Sequence, residues 1–458
     1  MNFFCGTNKK VKDSVHGYIP IPTVLFDYFI DTPHFQRLRR IEQTSMRSLY
    51  PSARHDRFIH SLGTFHLGQI AITQLKASDN DGILTVSLCR SFLIACLLHD
   101  CGHAPFSHTF EDYFGRAETF FELFRKVVPK EEEFLQDLKD SAQAKPHEYL
   151  SALIAIHIYQ DAILSLEADP ILVARMIIGA TYATNKVENA LIELLNGRAI
   201  DVDKLDYVIR DVFLSGIKYA QVDIDRLLSS IMIKSDKGVF RICFQKNALS
   251  AVNSVVEVKN FLGQWVFSHH IVQYEQHILK QCVIELARNL YPKENDDKAL
   301  GKLFNPNTYL NLENLTKSDY PMLCDDDLVF LIKSRKVPHA EEWLFRQYQM
   351  KPLWKSYYEF RRLFGQSIST SIQRIKHCLN PIFGDEENYL IIEQFENKQV
   401  IEYRSLFVLM QDDDLCAYGD LFDTTKKAPN KFFYLFIKKT VSIESRKCAI
   451  QTLKDILK

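Results

Sequence analysis

The sequence predicts a mainly α-helical protein that contains one small β-hairpin and ends in a smaller α/β region. Three observations support this class. Apolar residues return every three or four positions from about residue 20 to 290, which is typical of helices with one buried face. A single pair of strand-like runs interrupts that series near residue 240. Beyond residue 292 strand-like runs alternate with helical ones, which indicates a different architecture.

The elements that matter most for function follow from local patterns. The apolar run Phe92–Leu98 predicts a buried helix that leads directly into a His-Asp pair. Ile231–Ile233 and Val239–Cys243 flank a Ser-Asp-Lys-Gly turn, so they predict the hairpin. Helical periodicity then continues from about Leu249 to Leu290, before Pro292, and predicts one long helix.

The character of the chain changes after residue 291. Residues 293–320 are polar and rich in Asn. The later runs predict strands at Tyr389–Ile392, Ser405–Met410 and Lys431–Ile437, with helices around Glu341–Tyr348 and Gln366–His377. We therefore expect an N-terminal domain over 1–291 and an α/β region over 292–458. The apolar residues of that region form its own core or make oligomerisation or regulatory contacts. A charged stretch at 130–146 predicts an exposed insertion.

Composition limits the function classes. The 458 residues are 47% hydrophobic and 25% charged, which is the balance of a globular protein. The net charge of −1 gives no global attraction for nucleic acid or a membrane surface, so phosphate binding must come from local clusters. We find neither a run long enough to span a bilayer nor a secretory signal. The ten cysteines include no CxxC pair, so we expect reduced thiols and a cytoplasmic location.

Four residues in separate segments are suited to a metal ion. His60 lies in RFIHSLG, the adjacent His99 and Asp100 end the apolar run LLHD, and Asp203 lies in DVDK. Two imidazoles and two carboxylates suit a divalent transition metal and leave coordination positions open for water and substrate. Because adjacent helical residues point about 100° apart, His99 and Asp100 can share one ion only where the helix passes it side-on.

Each of these residues has a structural explanation when it is taken alone. A histidine that ends an apolar run is more often a satisfied core or capping residue than a ligand, and Asp203 could begin a charged helix face. The surroundings of His99 argue otherwise, because His103 and His108 follow within ten residues. So many polar groups at the end of a buried helix are costly to desolvate, and a structural role would not need them.

The ordered set of motifs resembles the HD-domain deoxynucleoside triphosphate triphosphohydrolases, which include bacterial dGTP triphosphohydrolases and the mammalian SAM- and HD-domain enzyme. The similarity rests on RFIHSLG, LLHDCGHAPFSHTFE, HEYL and IDVDKLDYVIRD, and on the opening HGYIPIP and FIDTPHFQRLRRIEQ blocks. It covers roughly the first two thirds of the chain, and no SAM-like segment precedes it. The resemblance implies an HD-type helical core.

The resemblance also implies chemistry. In this family the residues matching His60, His99, Asp100 and Asp203 hold the metal, which we expect to be Mg, Mn, Fe or Zn. A metal-activated hydroxide attacks the α-phosphorus, and deoxynucleoside and intact triphosphate are released. His108 and Glu111 match the family's catalytic pair, and they would share one face if the helix continues there. His147 matches a second catalytic His-Glu element near the phosphates.

Substrate contacts are assigned partly by position and partly by resemblance. Arg57 lies one turn before His60 and could reach a phosphate, and His103 lies one turn beyond His99 and would face the same cavity. Asp203, Tyr207 and Asp211 follow an i, i+4, i+8 series on one helix face. By resemblance, the substrate-binding residues are Lys204 and Tyr207 for the phosphates, Asp211 and Gln43 for the sugar 3′-hydroxyl, Lys259 for the outer phosphate and Phe267 for the deoxyribose.

The chain departs from the family at several positions. Phe267 stands where mammalian-type members have Tyr, so a hydroxyl contact is lost, and Thr44–Arg47 replaces a Gly-rich stretch that borders the base. The family's allosteric nucleotide site is only partly matched, and the spacing from Lys10 to His16 is one residue shorter than in the family. The residues that resemble this site are Lys10, Val11, Asp13, His16, Asp31, Gln36 and Arg39. A deoxynucleoside triphosphate could therefore act as an activator as well as a substrate. Relatives form dimers, tetramers or hexamers, so we expect a homo-oligomer.

Three functions stay open at this point. The first is hydrolysis of dNTPs, serving nucleotide-pool control or antiphage defence by starving replication. The second is an HD phosphohydrolase that acts on another nucleotide phosphate ester. The third is a nucleotide-sensing protein with little turnover. The full set of metal ligands, together with His108 and Glu111, favours an active enzyme, and Arg57, Tyr207 and Asp211 favour a triphosphate substrate.

Overall fold

The computed structural model describes residues 3–141, 144–218, 221–310, 322–365, 368, 370–384, 386–395, 405–411, 414–422 and 431–457. The chain forms two compact units. The first unit comprises Met1–Val258, Ala287–Leu331 and Ile401–Thr424, and the second unit comprises Lys259–Leu286, Ile332–Val400 and Thr425–Lys458. The division into domains after residue 291 stays a prediction.

Helices dominate the described residues, as the sequence predicts. In chain order they are α1 (Thr23–Leu25), α2 (Pro33–Arg37), α3 (Arg57–Ala77), α4 (Val86–Leu98), α5 (Ala117–Val127), α6 (Glu132–Ser141), α7 (Pro146–His157), α8 (Gln160–Ser165), α9 (Pro170–Ile178), α10 (Val187–Leu195), α11 (Val202–Ser215), α12 (Ile224–Ser229), α13 (Leu249–Phe261), α14 (His270–Leu290), α15 (Asp296–Leu303), α16 (Asn307–Leu310), α17 (Asp325–Arg335), α18 (Ala340–Leu344), α19 (Tyr357–Phe364), α20 (Ile372–Phe383), α21 (Tyr418–Leu421) and α22 (Ile443–Ile456). None of the helices in the described residues is both long and apolar enough to cross a membrane.

The strands form three small sheets. They are β1 (Asn8–Asp13), β2 (Gly17–Pro22), β3 (Ile231–Asp236), β4 (Val239–Gln245), β5 (Met350–Pro352), β6 (Tyr389–Phe395), β7 (Phe407–Leu409), β8 (Leu415–Ala417) and β9 (Lys431–Lys438). In the first unit β1 and β2 form an antiparallel hairpin, and a four-stranded sheet has the order β3-β4-β7-β8, with β4 and β7 parallel. In the second unit the antiparallel order is β5-β9-β6.

The helical core of the first unit is built around α4. Every residue of α4 from Ser91 to Leu98 is buried, because α3, α9 and α10 pack around it. The side chain of Thr85 caps its first turn by accepting a hydrogen bond from the Leu88 amide. Helix α11 packs against α3, and the Asp201 side chain caps it by accepting a hydrogen bond from the Lys204 amide. This packing brings the start of α3, the end of α4 and the start of α11 together.

The predicted hairpin is confirmed. Strands β3 and β4 pair antiparallel from Ile231 with Phe244 to Asp236 with Val239. Its two-residue loop, Lys237 and Gly238, has positive φ angles of 51° and 81°. Two consecutive left-handed residues match the twist of the flanking strands, which explains the choice of glycine here.

The predicted helix from Leu249 to Leu290 is wrong as a single element. Helix α13 ends at Phe261, a π-helical segment covers Leu262–Phe267, and α14 begins at His270. The Ser268 amide donates to the Gly263 carbonyl five residues earlier, which marks the wider turn. One wider turn shifts apolar periodicity too little to be detected in a sequence.

Several smaller boundaries also differ. The helix predicted around Glu341–Tyr348 ends at Leu344, and the one predicted around Gln366–His377 begins at Ile372; Gln366, Ser367 and Ser369 lie outside the described residues. The predicted exposed insertion at 130–146 contains α6. Phe134 and Leu138 on this helix are buried, so one of its faces belongs to the core. The many charged residues of α6 make its amphipathic pattern difficult to detect in the sequence.

Candidate active site

Four predicted metal ligands come from three packed helix ends. His60 lies in the first turn of α3, His99 caps the C-terminal end of α4 with Asp100 next to it, and Asp203 lies in the first turn of α11. His60 is fully buried, and Asp203 keeps a side chain that is one-third exposed. The centre therefore lies at the end of the core with one side open.

The nitrogen and oxygen atoms of these side chains converge. The Nε2 atoms of His60 and His99 are 3.3 Å apart, and Asp203 Oδ1 lies 2.9 Å from the first and 3.6 Å from the second. Asp100 places Oδ2 3.7 Å from His60 Nε2 and Oδ1 3.5 Å from His99 Nε2. The two rings are 78° apart, so their in-plane lone pairs can meet at one point.

The hydrogen bonds on the far side of each ring decide which nitrogen faces the centre. His60 Nδ1 lies 2.7 Å from Asp206 Oδ2, and His99 Nδ1 lies 2.9 Å from the Cys96 carbonyl oxygen. An imidazole that donates through Nδ1 presents an unprotonated Nε2, which is the metal-binding form. The donor set of two such nitrogens and the Asp203 carboxylate therefore fits a divalent transition cation, and the Asp100 carboxylate lies next to it.

Electrostatics also favour a cation at this centre. Burial alone would lower the pKa of His60, but its contacts with Asp203 and Asp206 and the nearby charge of Asp100 raise it to about 10. Burial likewise opposes ionisation of Asp100, yet Arg57 and the two imidazoles hold the pKa of its carboxyl below the usual range. The carboxylates are thus ionised, and a cation can replace protons that the imidazoles would otherwise hold.

Arg57 makes several hydrogen bonds within the protein. Its guanidinium donates to Asp100 Oδ2 at 2.8 Å, to Ser107 Oγ at 2.9 Å and to the Gln43 carbonyl at 3.3 Å. Only 4% of its surface is exposed. Arg57 therefore orients Asp100 in this structure, and its predicted phosphate contact stays a prediction.

A second cluster lies beside the first and contains His103, His108, Glu111 and His147. Glu111 Oε1 lies 2.6 Å from Nδ1 of both His108 and His147, and 3.6 Å from His103 Nε2. The helix does not continue at this point, because the chain forms two short 3₁₀ turns, Ser107–Thr109 and Glu111–Phe114. The three-residue spacing still brings His108 and Glu111 together.

The geometry of this second cluster is unlike that of a metal site. Its donor atoms lie within 4.8 Å of one another, yet the His103 and His147 rings stack with centroids 3.9 Å apart and planes at 21°. Nearly parallel rings cannot direct their in-plane lone pairs at one ion. Both nitrogens of His103 have no hydrogen-bond partner among the described residues, although the ring is fully buried. Such a group is ready to contact a bound ligand.

The charge states of the second cluster follow from burial. Burial, together with the Arg57 charge, holds the pKa of His103 well below its ordinary value, so the ring is neutral. Burial opposes ionisation of Glu111 as well, but the neighbouring His147 and His108 hold the pKa of its carboxyl far below the usual range. An ionised carboxylate that contacts two imidazoles is an arrangement suited to proton transfer.

The predicted substrate residues on α11 are partly engaged within the protein. Lys204 contacts the Asp201 carboxylate and donates to the Gly197 carbonyl at 2.8 Å. Tyr207 is half-buried, and burial raises the pKa of its hydroxyl well above the ordinary value. Their phosphate contacts stay predictions.

Asp211 and Gln43 meet at a residue that sequence reasoning missed. His55 Nε2 lies 2.7 Å from Asp211 Oδ1, and the His55 carbonyl accepts from the Gln43 amide at 3.1 Å. Gln43 Oε1 is buried with no partner among the described residues. The two predicted sugar-binding residues are thus linked through His55, although no motif pointed to it.

Lys259 and Phe267 belong to the second unit. Lys259 is buried, and Phe267 is half-buried in the π-helical segment. Their predicted contacts with the outer phosphate and the deoxyribose stay predictions.

Asp325 is another residue that the sequence did not reveal. Its carboxylate accepts hydrogen bonds from the backbone amides of Glu42 at 2.8 Å and Phe106 at 2.6 Å. Phe106 and Ser107 have left-handed φ angles of 54° and 53°, which cost energy for non-glycine residues. Asp325 therefore stabilises the strained turn that carries His108. It lies in the region that the sequence had assigned to the C-terminal part.

The segment that carries the site is similar to a known domain family. Residues 57–208 match the HD domain, a span that begins at Arg57 and includes all four predicted ligands. HD domains bind divalent metal ions, and the His60, His99 and Asp203 cluster described above could hold one.

Curated relatives share similarity beyond the domain. The chain is 26% identical over 342 residues to a deoxynucleoside triphosphate triphosphohydrolase SAMHD1 homolog of Dictyostelium discoideum, covering 73% of this chain and 57% of that protein. It is 28% identical over 314 residues to zebrafish (Danio rerio) deoxynucleoside triphosphate triphosphohydrolase SAMHD1, covering 65% of this chain and 47% of the relative. The chain thus spans about half the length of these relatives.

A solved structure shows the same fold. A phosphohydrolase from Bacteroides thetaiotaomicron superposes with a TM-score of 0.66 over 94% of this chain and all of that one, at 19% identity. The mainly α fold with an HD-domain helical core and a small α/β C-terminal region is therefore confirmed. Together the domain match and the relatives support a hydrolase.

Proposed function

We propose that this protein hydrolyses deoxynucleoside triphosphates to deoxynucleoside and triphosphate. The observation that carries the proposal is the convergence of His60, His99 and Asp203 on one point beside a second cluster of three imidazoles and a glutamate. The names of the similar relatives supply the substrate class. A divalent cation bound at this point would lower the pKa of a water molecule and offset negative charge on phosphoryl oxygens.

Each residue around that point then has its own role. His60, His99, Asp100 and Asp203 hold the cation, and Arg57 orients Asp100 through its 2.8 Å hydrogen bond. Neutral His103 donates a hydrogen bond to a non-bridging phosphate oxygen, because its nitrogens have no partner among the described residues. His108 Nδ1 contacts Glu111, while its side chain is 54% exposed, so Nε2 can accept a proton from the attacking water and then give it to the departing 5′-oxygen.

The remaining substrate contacts follow the resemblance. Lys204, Tyr207 and Lys259 contact the triphosphate, and Phe267 packs on the deoxyribose. Gln43 and Asp211 bind the 3′-hydroxyl, which agrees with their common contact with His55. We also propose nucleotide activation and a homo-oligomer. In a cell, such an activity would control the dNTP pool or starve phage replication.

Product analysis tests the proposal directly. Purified protein is incubated with each dNTP and rNTP, singly and in pairs, with Mg²⁺, Mn²⁺, Fe²⁺ or Zn²⁺, and the products are separated by ion-exchange chromatography. Deoxynucleoside with tripolyphosphate is the expected result, and a higher rate with a second nucleotide would support activation. Monophosphate with pyrophosphate would show a different bond specificity, and tight binding without products would indicate a nucleotide sensor.

Matched variants show whether the measured activity comes from this site or from a contaminating enzyme. Asp100→Ala should abolish the activity, while Asp225→Asn, which alters an exposed carboxylate on α12, should leave it unchanged. Circular dichroism shows whether both variants are folded. Equal activity of Asp100→Ala and the native chain would refute the site.

A further inference from the structure

The turn of the β1–β2 hairpin contacts the back of the metal centre. His16 Nε2 lies 2.6 Å from Asp206 Oδ1, and the other oxygen of Asp206 is 2.7 Å from His60 Nδ1. Asp206 and His60 are fully buried, and the His16 side chain is 8% exposed. A single carboxylate thus connects the hairpin turn to the ring of a predicted metal ligand.

Arg210 fixes the same carboxylate from a second side. Its guanidinium donates to both oxygens of Asp206, at 2.8 and 2.9 Å, and to both oxygens of Asp13, at 2.9 and 3.0 Å. Asp13 is the last residue of β1, and it also accepts from the His16 amide at 3.2 Å. Both hairpin residues therefore hold Asp206 in one orientation.

Helix α3 packs closely against this network at Gly63. A Cβ atom on Gly63 would lie 1.9 Å from Asp206 Oδ1 and 2.4 Å from an Arg210 nitrogen. Glycine is thus required at this position of α3 because the Asp206–Arg210 pair occupies the space where any other side chain would begin.

We propose that the hairpin turn is a positioning element of the metal centre, in which His16 and Asp13 act on His60 through Asp206 and Arg210. A carboxylate that accepts from the far nitrogen of a ligating imidazole fixes its tautomer and increases its basicity, and removal of such support typically weakens metal binding about 10–100-fold. The inference rests on the metal site of the proposed function but not on its substrate.

Thermodynamic linkage predicts that metal binding also stabilises the docked hairpin. If the docked hairpin strengthens metal binding by some factor, metal binding must stabilise the docked hairpin by the same factor. The hairpin is therefore expected to open less often when the metal is bound. The β3–β4 hairpin of the same unit provides an internal comparison: β3 packs against α3, but no hydrogen bond or ion pair among the described residues joins this hairpin to the four metal ligands.

The first experiment measures metal affinity in the absence of nucleotide. Metal-free protein is titrated with Mn²⁺ or Zn²⁺ by isothermal calorimetry. His16→Ala should bind about 10–100-fold more weakly than the native chain. His16→Gln, whose amide can still donate to Asp206, should recover much of the loss. Lys12→Ala, an exposed change on the same hairpin, should bind like the native chain. Native-like affinity of a folded His16→Ala variant would overturn the proposal.

The second experiment needs no variant and therefore does not depend on whether His16→Ala folds. Hydrogen–deuterium exchange is followed on the native chain with and without the same metal. Amides of residues 8–22 should exchange about 10–100-fold more slowly with metal than without, relative to those of residues 231–245. Equal change in both hairpins, or no change in residues 8–22, would contradict the proposal. A failure of dNTP hydrolysis would affect neither measurement.

Discussion

The two histidine clusters of the first unit use the same residue types in different ways. In the metal cluster (His60, His99, Asp100 and Asp203), each imidazole has a partner on Nδ1 and turns Nε2 toward a common point. In the imidazole cluster (His103, His108, Glu111 and His147), two rings are stacked and His103 has no partner on either nitrogen among the described residues. Asp100 lies between them, with Oδ1 3.8 Å from His103 Nε2.

The comparison indicates that the hydrogen bond on the far side of an imidazole decides which ring nitrogen it presents. Where a carboxylate or carbonyl occupies Nδ1, the ring is held in the tautomer and direction that a metal requires. Where the partner is a single glutamate shared by two rings, the imidazoles remain able to exchange protons and contact a ligand. Variants of either cluster can therefore test whether metal binding and proton transfer depend on separate sets of residues.

The largest effect is expected at the metal cluster. Asp203→Ala removes the carboxylate oxygen that lies 2.9 Å from His60 Nε2 and 3.6 Å from His99 Nε2, so bound metal and turnover should be lost together. A cation contributes several kcal/mol to stabilisation of the transition state, and about 1.4 kcal/mol is a tenfold change in rate, so turnover should fall at least about 1,000-fold. Metal content is measured by mass spectrometry alongside dNTP hydrolysis. Retained metal in a folded variant would remove Asp203 from the ligand set.

Glu111→Gln should impair the imidazole cluster without affecting metal binding by the metal cluster. The amide cannot act as the charged partner of His108 and His147, so kcat should fall about 100–10,000-fold while metal content stays at the native value. Glu118→Gln, an exposed change in the first turn of α5, is the matched control and should behave like the native chain. Loss of metal from Glu111→Gln would mean that the clusters act as one site.

Gly63→Ala should weaken the metal cluster alone. The new methyl group would displace Asp206 and Arg210, and metal affinity should fall about 10–100-fold because His60 loses its support. Gly301→Ala, where a Cβ meets nothing within 4 Å, is the control. At saturating metal, kcat of Gly63→Ala should return toward the native value. A persistent loss of kcat at saturation would place the defect outside metal binding.

The smallest effect concerns Asp325, which supports the turn before His108. Burial raises the pKa of its carboxyl from 3.8 to about 7, although the Glu42 and Phe106 amides oppose this. Between these two values the folded chain holds a proton that the unfolded chain has released, so this contribution to stability is lost as the pH rises through about 7. Relative to Asp325→Asn, the unfolding free energy of the native chain should therefore fall by at most about 1.4 kcal/mol per pH unit between pH 4 and 7.

Chemical denaturation of both chains at pH 4.5, 6 and 7.5 measures that slope. Metal affinity should be the same in the two chains, because the Asp325 carboxylate accepts from the backbone amides of Glu42 and Phe106, and neither residue is a metal ligand. A pH-independent difference would show that Asp325 remains ionised throughout this range.

Sequence patterns were reliable where short-range spacing controls structure. The apolar run of α4 predicted a buried helix ending at His99, and the β3–β4 hairpin was predicted with its turn. They were unreliable where the backbone geometry departs from a regular repeat. The π-helical turn between α13 and α14 and the left-handed Phe106–Ser107 turn leave the apolar spacing almost unchanged.

Helical periodicity and the chemistry of His and Asp are local properties, so the amino-acid sequence is sufficient to predict the fold class and the side chains available to a cation. Which ring nitrogen faces the centre, and which residues hold it there, depends on contacts between distant parts of the chain. His16 and Asp206 are 190 positions apart, Asp13 and Arg210 are 197 apart, and Phe106 and Asp325 are 219 apart. Contacts over such separations depend on how helices pack, and no local pattern in a single chain records that packing.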